Sequence, residues 1–346
     1  MSPTEAIAYQ AEACARAGSP LYTAVLHATL EDMAAGGPCA RLLADRVDDP
    51  LGSALPLRFL GALHRIVLEG RAPDLAAAYP SAGGDPAVGN VPARFLAAVA
   101  AHEAELAERI SEPVQTNEVG RCMALVGGFV SVARRTGLPL RVLELGASAG
   151  LNLRFDRYAY RTPHTATGDL DSPLCFGGPW APAPDLSGPL EVAERRGCDR
   201  HPIDATTEDG RLALRSYVWP DQVDRHERLR LALELASSTP VTIDRADAAT
   251  WIAEQLAEPR PGVATVVFHS IVMQYLPPAR RERVHALLHD AGRRATPDAP
   301  LAWLSMEPET DEHAAIRLVR WPGGAEERLA EVGYHGAPVR WLRPDT

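Results

Sequence analysis

The sequence predicts an α/β protein with a helical N-terminal domain over residues 1–137 and an α/β domain over 138–346, the latter on a mainly parallel sheet. Two observations carry this. Up to Gly137 the apolar residues recur three and four apart, the period of a helix that buries one face. Beyond it, short apolar runs alternate with helical segments, the pattern of strands joined by crossover helices.

In the first part, "TEAIAYQAEACARAG", "SPLYTAVLHATLEDMAAGG", "ALPLRFLGALHRIVLEG" and "VPARFLAAVAAHEAELAERI" each present an apolar stripe, with Gly36-Gly37-Pro38 and Gly83-Gly84 as breaks. "EVGRCMALVGGFVSVARRTG" predicts a further helix that stops at Gly137. In the second part, "LRVLELG", "PVTIDRAD", "ATVVFHS" and "PLAWLSMEP" are dense in Leu, Val and Ile, as strands buried on both faces require. "DRHERLRLALELASS", "ATWIAEQLAE" and "ARRERVHALLHDAGRRA" are the intervening helices. The tail, from Ile316 onward, suits a closing antiparallel hairpin. Residues 161–189 are rich in Pro, Gly and Asp without a period, which predicts either a long functional loop or a lid.

Composition narrows the chemistry. The formal charge is −10, which argues against a broad nucleic-acid surface, because phosphate binding needs clustered cations. No apolar run spans a bilayer and the N-terminus lacks the features of a signal peptide, so a cytoplasmic protein without membrane insertion is expected. The five cysteines are far apart and form no metal-type pair, so reduced thiols are expected. His285 and His289 lie four apart on a helix, but no third ligand completes a motif; they read as a solvated face, and no metal site is expected. The chain contains no lysine, and all 35 basic residues besides histidine are arginine. Schiff-base catalysis, a P-loop lysine and lysine-attached pyridoxal phosphate are therefore excluded.

The stretch "VLELGASAGLNL" places Glu144, Gly146, Ser148 and Gly150 where a buried strand runs into a turn and a helix. Glycines permit left-handed backbone and close approach of a ligand, and a helix N-terminus offers free N–H groups. The same glycines would also serve close packing of helix on strand. The spacing is not G-x-G-x-x-G, so a dinucleotide site is disfavoured. His269 closes "ATVVFHS", where an imidazole could take a proton from an attacking group or merely bond a carbonyl in a packed interior. "PVQTNEVGR" sets Gln115, Thr116, Asn117, Glu118 and Arg121 between apolar helices, more polar residues than one helix cap uses.

Glu144-x-Gly146-x-Ser148-x-Gly150 resembles the first motif of class I S-adenosylmethionine-dependent methyltransferases, E-x-G-x-G-x-G, with serine at the middle glycine. The stretches "PVQTNEVGR", "VLELGASAGLNL", "SYVWPDQ", "VVFHSIVMQYLP" and "WPGG" also resemble an uncharacterised bacterial family, domain of unknown function 2332, over nearly the whole chain. The methyltransferase resemblance implies a Rossmann-like sheet, S-adenosylmethionine as cofactor and a small-molecule substrate. It implies that Glu144, Gly146, Ser148 and Gly150 hold the cofactor. Asp199, or its rival Asp204, would bind the ribose, and Asp247 the adenine unless it only caps a helix. His269 would be the catalytic base, with Asn117 and Arg121 on the acceptor side. Two alternatives stay open: a cofactor-independent displacement or cyclisation on the same scaffold, and a non-catalytic binding protein.

Overall fold

The computed structural model describes residues 1–48, 52–178 and 180–342. The chain divides into two compact units, one of residues 1–116 with 207–227, the other of 117–206 with 228–346. The first is helical. Helices Pro3–Arg16, Pro20–Ala34, Leu55–Leu68 and Val91–Ala101 bury Ile7, Tyr22, Leu26, Phe59, Leu63 and Phe95 in one core. Their starts are built from the local sequence: Ser2 and Glu5 form a reciprocal capping box, and proline fills an early position in each of the four helices. The returning segment 207–227 is bonded into this core. His64, fully buried, meets the Ser216 carbonyl at 2.9 Å and Ser81 Oγ at 2.7 Å; burial first, and then neighbouring His226, push its pKa down to about 3. Asp221 accepts hydrogen bonds from Ser19 Oγ and from the Leu21 N–H.

The second unit contains an eight-stranded, mostly parallel sheet and a small three-stranded one. In chain order the strands are β1 Leu140–Leu145, β2 Ala159–Arg161, β3 Ala166–Gly168, β4 Cys175–Phe176, β5 Val192–Asp199, β6 Thr242–Arg245, β7 Ala264–Ser270, β8 Leu301–Pro308, β9 Ala314–Trp321, β10 Ala325–Val332 and β11 Val339–Trp341. The large sheet runs β11-β10-β9-β8-β7-β1-β5-β6. Ladders from β6 across to β8 are parallel, and those from β8 to β11 antiparallel. Strand order thus reverses between β1 and β7, the kind of position where open α/β sheets bind ligands at the carboxyl ends of their strands.

Helices cover both faces of the sheet. Arg121–Thr136 packs so closely that a Cβ on Gly128 would come within 2.5 Å of Leu304. The change of sequence pattern at Gly137 therefore falls inside this unit, and Gly137 ends the helix in left-handed conformation, φ 65°. On the opposite face, helices Ala248–Gln255 and Pro278–Gly292 close a core of Leu143, Val267, Leu288, Trp303 and Trp321. The stretch 161–189 holds the end of β2 with β3 and β4. Among the described residues no helix is long and apolar enough to cross a membrane.

Candidate functional site

The turn after β1 has the backbone course that its sequence suggests. Gly146, Ser148 and Gly150 all have positive φ, at 69°, 50° and 66°. Serine thus holds a left-handed conformation that glycine would take freely, which destabilises the fold by about 1–2 kcal/mol. The turn does not lead into the α-helix expected from the sequence. Asn152–Arg157 is a six-residue 3-10 helix, which offers no extended dipole.

The turn's polar groups are largely taken up by the protein. Ala147 N–H donates to the Cys198 carbonyl at 3.0 Å, and Gly150 N–H to that of Ala147 at 2.7 Å. Ser148 N–H donates to Asp199 Oδ2 at 2.9 Å, while the other Asp199 oxygen receives the His201 N–H at 2.8 Å. Asn117 Oδ1 accepts from Leu151 N–H at 2.8 Å. The buried Arg154 guanidinium donates to the carbonyls of Gly150 at 2.8 Å, Ala149 at 3.3 Å, Thr239 at 2.7 Å and Ala236 at 3.4 Å. Side chains fill the space that the glycines leave: a Cβ on Gly146 would meet Val272 at 2.3 Å, and one on Gly150 would meet Val241 and Ile243 at 2.9 Å.

Glu144 lies beneath this turn, paired in register with Phe268. Burial pushes its carboxyl pKa well above the usual range, against the opposing effect of a hydrogen bond to Asn152. Its Oε2 is buried with no hydrogen-bond partner among the described residues. Arg121 reaches the carbonyl of Ser270 at 2.9 Å and that of Tyr334 at 3.2 Å.

His269 is on the other face of the sheet, because successive residues of a strand alternate. Phe268 meets Phe129 of the Arg121–Thr136 helix, whereas His269 turns toward Trp303. The sequence predicts His269 in one crevice with Asn117 and Arg121; alternation separates them. His269 is 1% exposed and its two nitrogens are both used. Trp303 Nε1–H donates to Nε2 at 2.9 Å, so the ring proton sits on Nδ1 and is donated to Glu307 Oε1 at 2.6 Å. A proton arriving at Nε2 would face the indole N–H. His269 is thereby held as a positioning residue rather than a poised base.

Glu307 organises this corner. Its Oε1 also accepts the N–H groups of Val272 at 3.0 Å and Met273 at 3.2 Å. These amides turn inward because Ile271 adopts φ 53°, a costly conformation for a β-branched residue. Burial works to raise the Glu307 pKa, but the bonds from His269, Val272 and Met273 hold it below the usual carboxylate value. Beside them is a cavity of about 390 Å³ lined by His269, Gln274, Arg281, His285, Ser305 and Glu307, among others.

His285 belongs to this cavity and not to a solvated face. Its ring is 4.9 Å from that of Trp303, and burial, foremost, lowers its pKa, so it is neutral near pH 7. His289 packs edge-on against Trp321 at 5.4 Å. Asp247 caps helix Ala248–Gln255 through the N–H of Ala249 at 3.1 Å, and its second oxygen pairs with Arg280. Asp204 is exposed and accepts from the Thr206 N–H at 2.8 Å. Gln115 and Thr116 fall in the helical unit. Sequence reasoning missed Glu307, Trp303, Ser305 and Arg281. The available signal was Glu307 itself, an acid near the carboxyl end of an apolar strand, as Glu144 is in β1.

No curated protein and no solved structure matches the chain. The family described as an uncharacterized protein conserved in bacteria (DUF2332) matches residues 4–341. With nearly the whole chain covered, the protein belongs to that family.

Proposed function

We propose that this protein is a Rossmann-like, S-adenosylmethionine-dependent methyltransferase acting on a small molecule. The observation that supports it is the turn after β1, left-handed at residues 146, 148 and 150 beside the reversal of strand order, with Ser148 in the conformation of the glycine it replaces. The orphaned Glu144 Oε2 beneath the turn fits a ligand that brings a polar hydrogen-bonding group. Glu144 and residues 146–150 would hold the cofactor, and Asp199 would exchange its backbone donors for ribose hydroxyls. When bound, the cofactor supplies a methyl group on a sulfonium centre. The protein's share is to orient the acceptor in the cavity beside His269 and Glu307, exclude water, and offer the neutral His285 as proton acceptor.

One observation favours a second reading, a cofactor-independent enzyme on this scaffold. Both oxygens of Asp199 already bond the protein's own amides. Calorimetric titration with S-adenosylmethionine and S-adenosylhomocysteine separates the two. One-to-one binding is expected, weakened by about 1–3 kcal/mol in Asp199→Ala, the scale of a hydrogen bond to a charged group. Absence of binding to either compound would leave the second reading.

A further inference from the structure

The cavity beside His269 is walled by two side chains of opposite charge, each with a buried polar atom that has no hydrogen-bond partner among the described residues. Arg281 makes no side-chain hydrogen bond or ion pair among the described residues, and its Nε is buried. Its neighbour Arg280 pairs with Asp247, and Arg317, also in the cavity wall, pairs with Glu309. Glu307 uses Oε1 for three donors while Oε2, also buried, has none among the described residues.

Leaving a buried donor or acceptor unsatisfied costs free energy, and native proteins rarely do so without a reason at that site. Here both orphans belong to the wall of one cavity of about 390 Å³, a size typical of small-ligand sites. A simple anion would satisfy Arg281 and be repelled by Glu307, and a simple amine the reverse. Only a ligand carrying both groups satisfies both. Ser305 and His285, in the same wall, make no side-chain hydrogen bond among the described residues and could add contacts to the ligand's polar atoms. Trp303 offers an apolar wall to the carbons between its ends.

We propose that this cavity binds a small zwitterion, its anionic group on Arg281 and its protonated amine on Glu307 Oε2. The site needs no adenosyl cofactor. If methyl transfer also holds, the acceptor class is a small amino acid or related amine.

The test uses the full chain and a series of ω-amino acids (glycine, β-alanine, 4-aminobutyrate and 6-aminohexanoate), with butyrate and butylamine as single-charge controls. Binding is followed by saturation-transfer NMR and calorimetry. One member should bind at least roughly tenfold tighter than either control. Its length would give the span between the two groups. Arg281→Gln, which removes no hydrogen bond or ion pair among the described residues, should lower that affinity about tenfold with little change in melting temperature. Glu307→Gln should weaken the amine end by a similar factor, together with the modest loss of stability expected from its weaker hold on His269, Val272 and Met273. If no ω-amino acid exceeds the controls, or if Arg281→Gln binds as the native protein does, the proposal is overturned. None of these probes resembles S-adenosylmethionine, so failure here and failure of the cofactor titration are separate results.

Discussion

Glu307→Ala should destabilise the protein by roughly 3–5 kcal/mol, the range for breaking a buried hydrogen-bonded pair. Three donors lose their acceptor at once: His269 Nδ1–H, Val272 N–H and Met273 N–H. The last two belong to the turn that the strained Ile271 initiates, so the corner after β7 should loosen as a whole. Glu307→Gln keeps one acceptor oxygen and should lose only about 1–1.5 kcal/mol. Urea denaturation followed by circular dichroism reads both; an alanine variant within about 1 kcal/mol of native would show that Glu307 is not the organiser. The pH dependence has a fixed sign. The folded pKa lies below the unfolded one, so the carboxylate's contribution is complete above the unfolded value, about 4.3. It is lost as pH falls through the folded value. The gap in stability between native and Glu307→Gln protein should therefore hold at neutral pH and narrow as pH falls below the unfolded carboxylate value.

Arg154→Met should cost a similar amount, roughly 3–5 kcal/mol, because up to four carbonyls, three of them in buried hydrogen bonds, lose their donor. Two of these carbonyls, of Ala149 and Gly150, are in the turn after β1, and two are in the chain near Ala236 and Thr239. Amide exchange at Ser148 and Gly150 should accelerate together with the loss of stability. Methionine keeps an apolar stem without donating, so the change isolates the guanidinium's bonds. Exchange rates equal to native at those amides would mean that the turn holds without its clamp.

Periodicity made the helices and most of the large strands legible, because burial on one or two faces leaves a countable pattern. β5 carried no such pattern. Its Arg195 and Arg196 are answered by Asp156 and Asp244, residues far apart in sequence, so a strand one in from the sheet's edge reads as a charged run. The glycines of the turn were legible as conformation but ambiguous as purpose. Val272, Val241 and Ile243 occupy the space beside them, and only tertiary structure brings those side chains there. His269 was legible as a histidine at a strand end. That Trp303 and Glu307 would engage both its nitrogens depends on the parallel register of β7 and β8, which sets His269 beside Ser305.

The helical unit is interrupted in sequence, and this orders events during synthesis. Its first 116 residues emerge well before segment 207–227, which carries Trp219, packed 6.0 Å from Tyr22, and the Ser216 carbonyl that receives buried His64. Until then the nascent core has an apolar gap and an imidazole whose Nδ1 lacks its carbonyl partner, while β1 and β5 have already left the ribosome. Folding of this unit is therefore tied to a late, non-local contact rather than completed domain by domain from the N-terminus. A fragment ending at Gly137 would expose that gap permanently and bring the free thiol of Cys122 and the sheet-facing side of Arg121–Thr136 with it, a combination suited to aggregation.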